Sequence, residues 1–100
     1  MDQVTVTLTY PIQLNGVSCD RLTLRRPKVR DMRGAQKLAP NDPEQQELIL
    51  FASLAEVALD ELEAMDLADY ERVQDAYYSF RTVRNTRQQD AQGAGQAPGG

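Results

Sequence analysis

The chain has 100 residues, a length that suits one small domain, and carries a formal net charge of −4 with no histidine and one cysteine. Those totals exclude an intrachain disulfide and a histidine–cysteine metal cluster, and they leave Cys19 without an imidazole base. The longest apolar run, Leu48 to Ala52, is far shorter than the roughly 20 residues that span a bilayer, and the opening residues lack the pattern of a signal peptide, so a soluble cytoplasmic protein is expected.

Residues 4–14 alternate strictly. Val4, Val6, Leu8, Tyr10, Ile12 and Leu14 share one face, and Thr5, Thr7, Thr9 and Gln13 share the other, which predicts a half-buried β-strand. Pro11 donates no ladder hydrogen bond, so this strand lies at an edge or bends there. Asn15-Gly16 is a strong hairpin signal. A two-residue turn sets Leu14 opposite Val17, but strict pairing from that point leaves Leu22 and Leu24 facing outward. The pattern therefore predicts a bulge or longer loop between Val17 and Arg21, with the return strand over about Leu22 to Arg25.

Pro27 ends the sheet. A short helix is predicted over Val29 to Leu38, with Val29, Met32 and Ala35/Gln36 on one side. Asp42-Pro43-Glu44-Gln45 marks a second helix start, with Asp42 as N-cap, Pro43 at the first helical position and Gln45 placed to close a capping box. The residues that follow, through about Met65, favour helix throughout. Leu48, Phe51, Ala52, Ala55 and Leu59 form one stripe, and Ile49, Leu50, Leu54 and Val57 a second. A helix with so wide an apolar arc is either central to a core or bound to something else. A further helix starts at Asp66, carries Leu67, Tyr70, Val73, Tyr77 and Phe80 at helical spacing, and ends near Arg84. The Gln- and Gly-rich remainder has no apolar periodicity. The expected fold is α+β, an N-terminal β-hairpin followed by about three helices: a single domain over 1–84 with a disordered tail over 85–100.

Charge is unevenly laid out. Residues 21–37 hold seven bases and one acid, Asp31, whereas residues 42–75 hold eleven acids and one base, Arg72. Ion pairing between the two segments, within the fold or between subunits, is the ordinary expectation for such a layout. Nucleic-acid binding is disfavoured, because the chain is acidic overall and no aromatic side chain interrupts Arg21 to Lys37. The acids of residues 60–69 lack the loop glycine and ligand spacing of a calcium site and read as a solvated helical face. Cys19 reads as a small apolar side chain of the hairpin. No nucleophile–base pair, cofactor motif or metal-ligand set is present, so no enzymatic activity is expected.

Taken in order, the "YPI" stretch, the turn glycine, "LTLRRPKVRDMR", "ELILFASL" and "LDELEAMDLADYERVQ" resemble the phage tail assembly chaperone family of contractile-tailed, Mu-like phages, over roughly Thr7 to Phe80. Lys28 stands where the family often has Thr or Ser. Glu56, Ala58 and Leu59 stand where it often breaks the long helix, and since these residues favour helix, a weaker or shifted break is expected. The resemblance implies binding of the tape-measure protein, which is kept soluble in the host bacterial cytoplasm while the tail tube assembles around it. It implies absence from the finished virion and, in many members, a longer frameshifted form. In that role Leu48, Phe51, Leu54 and Val57 are expected to supply contact surface, and Arg25, Arg26, Arg30 and Arg33 to set orientation by charge. A homo-oligomer fits the same apolar surplus. The alternatives are a minor structural tail component using its edge strand, or a small nucleic-acid-binding regulator acting through Arg21 to Lys37.

Overall fold

The computed structural model describes the backbone of residues 3–92 and the side chains of residues 3–81. Strands β1 (Gln3–Leu14) and β2 (Val17–Arg25) form an antiparallel hairpin, and helices α1 (Val29–Leu38), α2 (Pro43–Ala55), α3 (Leu59–Glu63) and α4 (Leu67–Gln92) follow. The architecture is α+β in the expected order, with the long second helix divided into α2 and α3. Helix α4 continues to Gln92, past the expected end near Arg84. The rest of the expected tail, residues 93–100, lies outside the described residues.

Asn15 and Gly16 have φ of 54° and 80°. Two positive φ values in a two-residue loop are the mark of a type I′ turn, whose twist matches that of the strands it joins. Leu14 pairs with Val17 as the turn requires, and pairing runs on to Ile12 with Cys19. It resumes with Thr7 opposite Arg21, so that Leu8 to Pro11, four residues of β1, face Asp20 alone. An odd number of extra residues reverses facing, and this brings Val6 beside Leu22 and Val4 beside Leu24 on the core side. The irregularity demanded by the apolar pattern is thus present, but it lies on β1 around Pro11 and not in β2, which is continuous from Val17. Proline needs no ladder partner for its nitrogen, so it is the natural residue for that position. The same distortion swings Tyr10 outward, away from the core face where alternation placed it; its exposure is 58%.

Asp42 caps α2, its Oδ1 accepting the Gln45 N–H at 3.2 Å, with Pro43 at the first position. The helix ends at Ala55 because Glu56 turns left-handed, with φ 58° and ψ 47°. The Val57 N–H then donates to Ala52 O at 3.0 Å and the Glu56 N–H to Ser53 O at 3.3 Å, the paired closure of a Schellman motif. The helix break therefore falls at Glu56, one of the positions the resemblance implied, and not weakened or shifted as helix propensity leads one to expect, although no glycine supplies it. Asp66 caps α4 through the Ala68 N–H at 3.0 Å.

Helix α2 packs on β2, α4 and α3 pack on β1, and α1 packs on α2. The core between them is built from Val6, Leu8, Ile12, Leu22 and Leu24 of the hairpin, Leu50, Phe51 and Leu54 of α2, Leu62 of α3, and Val73, Tyr77 and Phe80 of α4. Phe51 lies at its centre, its ring 5.7 Å from that of Tyr70 and 5.2 Å from that of Tyr77. The wide apolar arc of α2 is thereby explained: neighbours cover it on several sides. Helix α1 buries only Ala35, while Val29 and Met32, on the same side by spacing, are exposed.

Candidate functional site

Two tethers hold the hairpin, one at the β1 distortion and one at the turn, and both come from residues the apolar pattern does not single out. At the β1 distortion the Thr9 and Tyr10 N–H groups lose their strand partners. Asp69, on the first turn of α4, accepts both, at 3.0 and 2.9 Å, and Arg72 donates to Asp69 and to Thr9 Oγ1. Asp69 is a fully buried charged side chain, and these donors, the Tyr10 amide foremost, hold its pKa down at about 2. At the turn, Glu61 accepts the Asn15 N–H at 2.8 Å and the Ala58 N–H at 2.9 Å, tying the hairpin tip to the start of α3. These contacts are structural and leave the carboxylates no role toward a ligand.

The third tether shapes the basic segment. Arg25 makes a bidentate pair with Asp31, both bonds at 2.9 Å, and reaches Ser53 Oγ at 3.3 Å; Asp31 also accepts the Lys28 N–H at 2.9 Å. The Arg25 hydrogen bonds lower the Asp31 pKa and the pair raises that of Arg25. Together they lock the end of β2, the Pro27 link and the start of α1 into one angle. The Arg25–Asp31 pair closes inside the basic segment and the Asp69–Arg72 pair inside the acidic one, so neither joins the two segments in the way their opposite charge suggests.

That angle opens a cleft between α1 and the middle of α4, around Tyr77 to Arg81. One socket of about 230 Å³ is lined by Pro27, Val29, Met32, Leu50, Tyr77 and Phe80, with Arg26, Lys28 and Arg81 at its margin. A second, of about 190 Å³, continues from it past Met32, Leu50 and Tyr77 toward Ala35, Phe51 and Tyr78. Arginines crown both walls of the first socket: the Arg26 guanidinium stands 5.3 Å over the Phe80 ring and that of Arg81 5.9 Å over the Tyr77 ring. Beside the first socket, Arg25, Arg26, Lys28 and Arg30 line a basic concavity of about 440 Å³.

The expected contact residues are distributed differently. Phe51 and Leu54 are 0% and 1% exposed and belong to the chain's own core, because the sheet, α1 and α4 close over α2; they supply no exposed surface in this fold. Leu48 and Val57 are half-buried against that core. Arg26 and Arg30 reach the basic concavity, Arg25 does so while held by Asp31, and Arg33 is exposed on α1 outside it. Val29 and Met32, which the spacing set on one side of α1, are among the large apolar side chains that face solvent. The one sign of their fate in the sequence is that α1 surrounds these two residues with Lys28, Arg30 and Arg33, which leaves little apolar width to bury.

Among the described residues, then, the hairpin packs under α2, α3 and α4, with an apolar cleft and a basic margin beside α1. The family model for phage tail assembly chaperone proteins, E, or 41 or 14, matches residues 5–81, and the chain belongs to that family. Neither the curated proteins nor the solved structures include a match to it. No helix among the described residues is long and apolar enough to cross a membrane.

Proposed function

We propose that this chain serves tail assembly by binding the tape-measure protein and keeping it soluble until tail-tube subunits enclose it, acting in the host bacterial cytoplasm and leaving before the virion is complete. Membership of the tail assembly chaperone family gives the general role. The observation that carries the specific reading is the apolar cleft in which exposed Val29 and Met32 stand beside Leu50, Tyr77 and Phe80; of the other exposed large apolar side chains, Tyr78 lines the second socket and Tyr10, Val17, Leu38 and Leu67 line neither. A long helical chain with apolar stripes needs reversible burial of those stripes, which calls for a groove and not for catalytic groups. Arg26, Arg30 and Arg33 then serve to orient the partner by charge. Co-expression with the tape-measure protein of the same tail gene cluster tests the reading. The expected outcome is a soluble complex, with the tape-measure protein sedimenting in inclusion bodies when this chain is omitted; equal solubility with and without it refutes the role.

A minor structural tail component is the second reading, favoured by one feature: the sheet has two strands, so its outer edges are not covered by a third. Recovery of the chain from purified particles would support it.

A further inference from the structure

We infer that the cleft between α1 and α4 receives an acidic amphipathic helix of a second protein, with apolar side chains one turn apart entering the two sockets and carboxylates lying over the basic concavity. The inference rests on the binding role proposed above and adds where and what the chain binds.

The size of the cleft comes first. Sockets of about 230 and 190 Å³ are each below the roughly 300 Å³ at which small-molecule sites begin. They are side-chain receptacles. They share Met32, Leu50, Tyr77 and Arg81, so they follow one another along a single groove. A helix presents apolar groups at i and i+3 or i+4 on one face, which is the pattern two consecutive receptacles read.

Charge comes second. The margin carries Arg26, Lys28 and Arg81, and the adjoining concavity adds Arg30. Asp31, the one acid within residues 21–37, pairs with Arg25 of this concavity and acts electrostatically on Arg30, so the concavity sets four bases against that one acid. An occupant with carboxylates beside its apolar stripe matches this layout, and a basic one is repelled by it. Residues 93–100 contain only Gly, Ala, Gln and Pro, with no acidic or large apolar side chain, and so do not match this layout.

Two probes test this on the full chain by isotope-edited NMR titration. One is a designed helical peptide with leucines at i, i+3, i+4 and i+7 and glutamates elsewhere; the other has lysines in place of the glutamates. The expected result is that the glutamate peptide binds at least about tenfold tighter, moves the signals of Val29, Met32 and Phe80, and weakens steeply as salt rises. Met32→Glu, at a position already exposed, is expected to weaken binding at least about tenfold with an unchanged circular dichroism spectrum, and Lys28→Glu with Arg30→Glu to weaken it in the same direction. Equal affinity for both peptides, shifts elsewhere on the surface, or concentration-dependent self-association that buries the same residues overturns the inference. The same variants, co-expressed with the tape-measure protein, separate the two levels of the reading. A complex that survives Met32→Glu removes the cleft and leaves the role. A wild-type chain that binds the glutamate peptide through the cleft but not the tape-measure protein removes the role and leaves the cleft.

Discussion

Asp69 shows how one side chain sustains a distortion in another element. The bulge of β1 frees the Thr9 and Tyr10 amides, and a buried amide without an acceptor is costly. The Asp69 carboxylate takes both and is itself balanced by Arg72. Asn at this position keeps the shape but loses the charge and replaces one acceptor oxygen with a donor group facing an N–H. Asp69→Asn is therefore expected to lower the urea midpoint clearly, and more than Glu61→Gln, whose carboxylate is on the surface. The pH dependence follows from the sign of the shift. A pKa near 2 in the fold against 3.8 for the free side chain means that the stabilisation is fully present above about pH 4 and is lost as pH falls toward 2. Unfolding followed over that window should show a stability loss in the wild type that is shallower in Asp69→Asn. An unchanged slope would mean that the carboxylate is not ionised in the native state. Asp31 and Glu61, both also lowered, give the wild type a residual slope of the same sign.

At the level of elements, the end of α2 is the informative case. A left-handed conformation in a residue with a side chain costs about 1–2 kcal/mol, and Glu56 adopts it with φ 58°. The cost is borne because the Schellman closure ends the helix and redirects the chain, so that Leu62 can fill the core beside β1. Glu56→Gly removes the steric penalty while adding about 0.5–1 kcal/mol of unfolded-state entropy, so a net gain of about 0.5–1 kcal/mol is expected. A rise in the denaturant midpoint with unchanged slope confirms it. A fall would show that the helix runs through residue 56 in solution, as helix propensity alone suggests. The hairpin offers the parallel lesson that an element's irregularity is located by its neighbours. Both strands contain alternating runs, and either one could have absorbed the parity change. Pro11 and the acceptor offered by α4 place it in β1.

For the molecule as a whole, Phe51 is the hub through which the helices meet the sheet, with no exposed surface and two aromatic neighbours. Replacing it with Ala is expected to cost about 3–5 kcal/mol, a large part of the stability of a small domain. Loss of near-ultraviolet dichroism with retained helix signal is the expected outcome for Phe51→Ala. A cooperative transition close to that of the wild type would mean that α2 is not central. This burial also takes Phe51 and Leu54 of α2 out of the exposed surface. Val29 and Met32 of α1, beside a wall of α4, are among the large apolar side chains that face solvent, along with Tyr10, Val17, Leu38, Leu67 and Tyr78.

The amino-acid sequence by itself determined the features that reside in short windows: the strand alternation, the Asn15-Gly16 turn, the Asp42-Pro43 helix start, the segregation of charge, and the family motifs between Thr7 and Phe80. Each depends on local sterics, capping or periodicity, so neighbours in sequence suffice to encode it. Only the tertiary structure decided which strand carries the bulge, that α2 stops at Glu56, that Asp69 anchors amides 60 and 59 positions away, and that the exposed apolar cleft belongs to α1 and α4. The physical reason is that these depend on competition for a single core and for buried hydrogen-bond partners. That competition is settled between segments distant in sequence.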